Sequence, residues 1–410
     1  MLALLYSVVT FTVGWMIGYK DAQLRLLAWV GFNQIILSFI LYLRSNISGL
    51  MLFKADSLFS VLDRLIMIFI CGILLWSGWV KGPFQIIWFV YAQTLAYFIT
   101  FMVALVFLMR HVGNLTINFN PVFMITIIKR GLPYALLVLL MSFYSRLEPV
   151  LIERLLPKET GLIQTGIYGK AFRLLDAGNN ISLLFSVLLL PMFASMLKRK
   201  EPINQLTRLS FSLILIMSVI TAGLAITYSK EIMELLYGMR PGEDESLFAS
   251  RINESSMILR ILMGSFVSVS VTYIFGTLLT ANGSLKALNI VAGTGVFVNV
   301  LMNFILIPRF EAVGAAWASF GVQGLTAIIQ MVVAFKVFDL RFGRLFWWRL
   351  IEFLIFFAMA VGVSRILPLP WFVNLLLAAT AGLAISFATQ MIGLNEIKDL
   401  VLFTTQARRK

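Results

Sequence analysis

Long apolar runs separated by short polar connectors repeat along the whole chain. They fall at about 2–18, 26–43, 60–80, 84–108, 132–152, 172–196, 209–229, 257–280, 288–307, 313–335, 350–367 and 371–392. A helix of roughly 20 apolar residues, rising 1.5 Å per residue, crosses a hydrocarbon core about 30 Å thick. The pattern predicts an all-α polytopic membrane protein of about twelve transmembrane helices. The fifth and sixth runs are the most polar.

Composition agrees with lipid as the main solvent. Of 410 residues, 60% are hydrophobic and 13% are charged, whereas a soluble domain keeps about a quarter of its residues charged. The net charge of +14 would suggest nucleic acid in a soluble protein. Here the basic residues sit in the connectors, where they set orientation, and no nucleic-acid partner is expected. Lys and Arg are more numerous after the even-numbered helices and in the tail (Lys129, Arg130, Lys198 to Lys200, Arg341, Arg408 to Lys410) than on the odd side. That bias places both termini in the cytoplasm.

The only cysteine, Cys71, and the only histidine, His111, leave no disulfide framework and no two-histidine site. Gly169-Lys170 is followed by Ala171, and Gln164 stands where a phosphate loop needs its first glycine, so ATP hydrolysis is not expected. The chain opens on Met1-Leu2-Ala3-Leu4-Leu5 with no basic region before the apolar run, so no secretory signal is expected. The connector 230–256, with Glu243, Asp244 and Glu245, reads as a solvated loop with one short helix, and lacks the histidine an enzymatic loop would carry. An enzyme is therefore not the expected class. The segment 110–130, with Gly113-Asn114 and Asn120-Pro121, reads as a lobe boundary, and Pro133 as the opening of the fifth span. The expected division is 1–130, 131–349 and 350–410, the last being an accessory helix pair with a basic tail.

Charges inside the bilayer cost about 2.5–3.5 kcal/mol each on insertion scales, so they should face water or a partner. The fifth span carries Tyr144-Ser145-Arg146-Leu147-Glu148-Pro149. On the sixth, Lys170, Arg173, Asp176 and Asn180 fall within about 120° of arc. Two readings fit: a cationic, water-filled cavity for an anionic substrate group, or a structural ion-pair network whose long side chains reach to the interface. Arg146 and Glu148 lie on different faces, so Lys170 or Arg173 is the expected neighbour of Glu148. Asp63-Arg64 in the third span give a similar, weaker signal, with an interfacial pair as the alternative. Asn289, Val296, Asn299 and Asn303 share one face of the ninth span, suited to packing against another helix. Gly314/Ala318 and Ala315/Ser319 place small residues four apart and predict close helix packing. Pro149, Gly178 and Pro191 interrupt helices as in alternating-access transporters.

Taken in order, several stretches carry a family resemblance. They are 57–64 ending in Asp63-Arg64, Gly131-Leu132-Pro133-Tyr134, 144–151, and Tyr168-Gly169-Lys170-Ala171-Phe172-Arg173. They continue with 281–289, Ile307-Pro308-Arg309-Phe310 and Gly314-Ala315-Ala316-Trp317-Ala318. Together they resemble the Wzx-type oligosaccharide flippases, or polysaccharide biosynthesis proteins, of the superfamily that includes multidrug and toxin extruders and the lipid II flippase. The resemblance implies a two-lobe, MATE-like bundle in the bacterial inner membrane. It also implies flipping of an undecaprenyl-diphosphate-linked oligosaccharide for surface polysaccharide or O-antigen. Arg146, Lys170, Arg173 and Asn180 would then line the cavity, while Glu148, Asp176, Asp63 and Arg64 would serve pairing or coupling to an H+ or Na+ gradient. No other cofactor is implied. The partners would be the lipid-linked substrate, membrane lipids, and a polymerase with its assembly proteins. Against the family pattern the chain starts at what looks like the third helix. The alternatives are a cation-coupled small-molecule exporter of the same fold, and a non-transporting scaffold of an envelope complex.

Overall fold

The computed structural model describes residues 2–16, 18–50, 52–76, 85–112, 121–239 and 242–392. The basic tail (Lys398, Arg408, Arg409, Lys410), Lys81, Gly113-Asn114, Asn120 and Arg240-Pro241 lie outside the described residues. Among the described residues there are thirteen helices and no strand, and ten of the helices are long and apolar enough to cross a membrane. The chain is an all-α, multi-pass membrane protein. It divides into two units, Met1–Asn120 and Pro121–Lys410.

The first unit holds α1 (Leu2–Met16), α2 (Asp21–Gly49), α3 (Phe53–Trp76) and α4 (Ile86–Val112). Its core is small, built from Leu43, Ile47, Phe59, Ala104 and Leu108. Two polar contacts set the register. The Asn33 amide, fully buried, donates to Val90 O and Gln93 Oε1 at 3.4 Å, and Arg44 pairs with Asp56 at 2.7 Å between α2 and α3. Most remaining large apolar side chains point outward, as a lipid-facing surface requires.

The second unit starts with α5 (Pro121–Arg146), α6 (Glu148–Leu155) and α7 (Lys158–Lys198). Pro133 lies inside α5 and does not open it. The helix runs back through Lys129-Arg130 because backbone hydrogen bonding continues past the charges that mark the end of an apolar run. Between α5 and α6 the helix breaks at Leu147. Proline at 149 has no N–H to give to Ser145 O, so one rung of the ladder is missing there. The unit continues with α8 (Asn204–Thr227), α9 (Ser229–Leu236) and α10 (Glu245–Ala281). The connector expected over 230–256 is thus mostly helical: α9 fills its start and the first turns of α10 fill its end.

The element α11 (Leu285–Phe338) contains non-helical backbone at Glu311, φ 50° and ψ −133°, and is a helical hairpin. Its register follows from three contacts: a Cβ on Gly314 would meet Leu306 O, one on Gly321 would meet Met302, and one on Gly295 would meet Thr326. In each pair the first-pass number falls as the second-pass number rises, as it must between antiparallel passes. These two passes are the ninth and tenth expected spans, joined without a loop. Ala312 N donates to Gln164 Oε1 at 3.2 Å, tying the turn to α7. The small residues of 314–319 are buried in the hairpin seam and against its neighbours.

Helices α12 (Arg344–Ile366) and α13 (Trp371–Ala388) complete the described chain. This pair packs onto α8 within the second unit. Phe357 of α12 occupies a slot where a Cβ on Gly223 of α8 or Gly382 of α13 would approach its ring to 2.7 or 2.8 Å. Tyr228 and Ser364 share a hydroxyl hydrogen bond of 2.8 Å, and Arg365 pairs with Glu231. In lipid, where apolar contact with tails is already satisfied, such close approach and buried polar contacts are what hold helices together.

Candidate functional site

The polar residues of α5 and α7 meet in a cavity of about 390 Å³ inside the second unit, walled by α5, α7, α10 and α11. Its polar lining includes Ser142, Ser145, Arg146, Asp176, Asn179, Thr272, Tyr273, Gln323 and Gln330. Arg146 Nη2 bonds Asp176 Oδ1 at 3.0 Å, with both side chains substantially exposed. The cavity therefore carries one cation and its counter-ion, surrounded by hydroxyls and amides.

Some of those groups are committed to neighbours. Ser186 bonds Thr277, and Thr277 donates to Tyr273 O. Asn179 Oδ1 and Gln330 Oε1 are buried without a protein partner. A buried amide oxygen left unmatched costs on the order of 1–3 kcal/mol, which favours a water or ligand donor at these positions.

The other expected site residues separate. Lys170 turns away from the cavity: its Nζ lies 5.2 Å over the ring of Tyr237, and Tyr237 donates its hydroxyl to Lys170 O at 3.4 Å. It lines a second cleft with Glu243, Arg251 and Glu254, in which Arg251 pairs with Glu243 at 2.8 Å. Arg173 is exposed on α7 and is not among the cavity-lining residues. Asn180 spends its amide on Asp176 O of its own helix at 2.8 Å. In the first unit Asp63 is half-buried with Oδ1 unbonded, Arg64 is exposed, and among the described residues the two form no ion pair.

Glu148 differs most from expectation. Neither Lys170 nor Arg173 is its partner. It is fully buried, Oε1 accepts from Asn299 Nδ2 at 3.0 Å, and Oε2 accepts nothing. The same Asn299 amide also reaches Tyr144 O at 3.3 Å. Asn303 in turn donates to Asn299 O at 2.9 Å and to Asn299 Oδ1 at 3.1 Å. Among the described residues no cation pairs with this carboxyl. The asparagine face of the ninth span does pack, as Asn289 shows by donating to Pro133 O at 3.1 Å, but its deeper end also receives an acid. Two sequence signals were available: Asn299 and Asn303 one turn apart, and a carboxyl beside a proline break. Nothing in the sequence connects them across 151 residues.

No family model matches the chain, and no curated protein matches it. Among solved structures, one described as lipid II flippase MurJ in an inward-closed conformation is similar in fold. The match has a TM-score of 0.69 at 12% identity and covers 94% of this chain and 80% of that one.

Proposed function

We propose that this chain flips a lipid-linked, anionic oligosaccharide across the membrane, with an undecaprenyl-diphosphate-linked glycan of surface polysaccharide or O-antigen type as the substrate class. The observation that carries the reading is the cavity of the second unit. Arg146, its counter-ion and a lining of hydroxyls and amides lie together between α5, α7, α10 and α11. Hydroxyl and amide groups match sugar hydroxyls as donors and acceptors. A guanidinium fork matches phosphate oxygens two at a time. Its pair with Asp176 is solvent-accessible and worth about 0–1 kcal/mol, so a ligand with several anionic oxygens can take the arginine over. The fold shared with a lipid II flippase supports the same class of cargo.

The test is glycan display in cells whose surface glycan depends on this chain. Arg146→Ala is expected to reduce display at least about tenfold, from loss of a charged contact worth roughly 1.5–3 kcal/mol, with the amount of membrane-inserted protein unchanged. Normal display would remove the cavity from the mechanism.

Glu148 supplies the coupling in this reading. A carboxyl held in a dry site without a cation is stable only when protonated or when a cation sits beside its free oxygen. Glu148→Gln, which keeps the acceptor for Asn299 and removes the charge, is expected to leave folding intact and to abolish the response of transport to an imposed H+ or Na+ gradient. Proteoliposomes carrying each gradient separately would read this out, and an unchanged response to both would assign Glu148 to structure alone.

A further inference from the structure

A third cleft, of about 690 Å³, opens on the surface of the second unit, apart from the cavity and from the Lys170 cleft. It is lined by Lys230 of α9, by a stripe of α10 and by Trp317 and Phe320 of α11. The α10 residues are Asn253, Ser256, Met257, Arg260, Ile261 and Gly264. They recur at three- and four-residue steps, so they form one face of the helix. Along that face the chemistry is graded. The polar and basic groups (Asn253, Ser256, Arg260, with Lys230 beside them) lie toward the start of α10. Ile261 and Gly264 follow, and Gly264 faces the Phe320 ring, which a Cβ there would approach to 3.0 Å.

The polar end is positively charged. None of the nine lining residues is acidic. Arg260 Nε donates to Ser229 Oγ at 2.7 Å, which fixes the guanidinium while its terminal nitrogens have no protein partner among the described residues. Lys230 has only a 3.8 Å approach to Glu234 on its own helix, and both are about half exposed. The apolar end is open as well: Met257, Trp317 and Phe320 are 48%, 46% and 37% exposed. Tryptophan at the border between a basic rim and an apolar slot is the pattern of a headgroup-level site.

We infer that this cleft binds an anionic diacyl phospholipid, its phosphate between Lys230 and Arg260 and one acyl chain along Ile261, Gly264 and Phe320. The inference is independent of what the protein transports. Charge complementarity chooses the occupant: a zwitterionic lipid offers the rim no net charge, and a purely apolar partner helix would leave both cations facing hydrocarbon.

The test uses delipidated full-length protein in detergent, titrated with dioleoyl-phosphatidylglycerol or dioleoyl-phosphatidylcholine, with bound lipid counted by native mass spectrometry. Phosphatidylglycerol is expected to bind tighter. The double variant Lys230→Gln/Arg260→Gln is expected to weaken it about thirtyfold, from the roughly 1 kcal/mol that each of the two basic residues contributes beside an anionic headgroup. Phosphatidylcholine binding should not change. Arg199→Gln/Lys200→Gln, which removes two exposed cations elsewhere, controls for net charge and should bind as the parent does. Inorganic phosphate at millimolar concentration should not displace the lipid, since the chain slot contributes too. Equal binding of the two lipids, equal loss in the control, displacement by phosphate alone, or dimer masses that disappear with Lys230→Gln/Arg260→Gln would each overturn the assignment, the last in favour of a second copy of this chain.

Discussion

Replacing Gly314 with valine should prevent the second unit from forming a stable fold. A Cβ at this position would lie 2.3 Å from Leu306 O and 2.6 Å from Leu306 C. Both atoms are backbone, so no side-chain rotation relieves the clash and the two passes of α11 must separate. Separation would also disturb the Ala312–Gln164 tie and the buried seam around Ala315, Ala316 and Ser319. The expected loss is upward of about 3 kcal/mol, at the high end of over-packing costs. It would appear in detergent as a fall in the thermal aggregation midpoint and loss of the monodisperse peak in size-exclusion chromatography. Gly324→Ala in the same helix is the matched control: its nearest neighbour, Ser268 Oγ, is 3.9 Å away, and it should behave as the parent does. Wild-type behaviour of Gly314→Val would mean the hairpin is not closed as described.

The second large effect is expected at Asn299. Asn299→Leu removes the amide donor from Glu148 Oε1 and from Tyr144 O, leaving a buried carboxyl with neither a cation nor that donor. Breaking a buried charged contact from one side is costly, about 3–5 kcal/mol where the remaining group stays charged. Replacing both members with apolar groups is not. Asn299→Leu should therefore lower thermal stability sharply, and Glu148→Met in that background should restore most of it. The interaction energy of the cycle is expected to exceed about 1.5 kcal/mol. Additive effects would show that Asn299 acts through Tyr144 alone and that Glu148 is not held by it.

These contacts mark where sequence reasoning reaches and where it stops. Apolar runs located the spanning helices because desolvation acts on every residue of a run. They did not locate the ends: α7 begins at Lys158 and α10 at Glu245, since a helix held by packing against its neighbours can extend beyond its apolar run into water. In the site, Arg146 and Asp176 were both visible as misplaced charges, but their pairing joins two helices and leaves no local trace. The error over Lys170 has a geometric cause. Lys170 and Asp176 stand at opposite edges of an arc of about 120°, and in a packed bundle that arc spans two neighbours. One edge looks into the cavity, and the other meets Tyr237. With Lys170 outside it, the cavity holds one ion pair, Arg146 and Asp176, and no surplus of cations among its lining residues.

The turn at Glu311 bears on how the protein is made. With Arg309 and Glu311 flanking Phe310 and no loop between the passes, neither half of α11 has a free connector by which it could be threaded alone. The two passes are expected to enter the bilayer together as a preformed hairpin. The tip then carries one positive and one negative side chain across, so biogenesis moves almost no net charge against the membrane potential at this step.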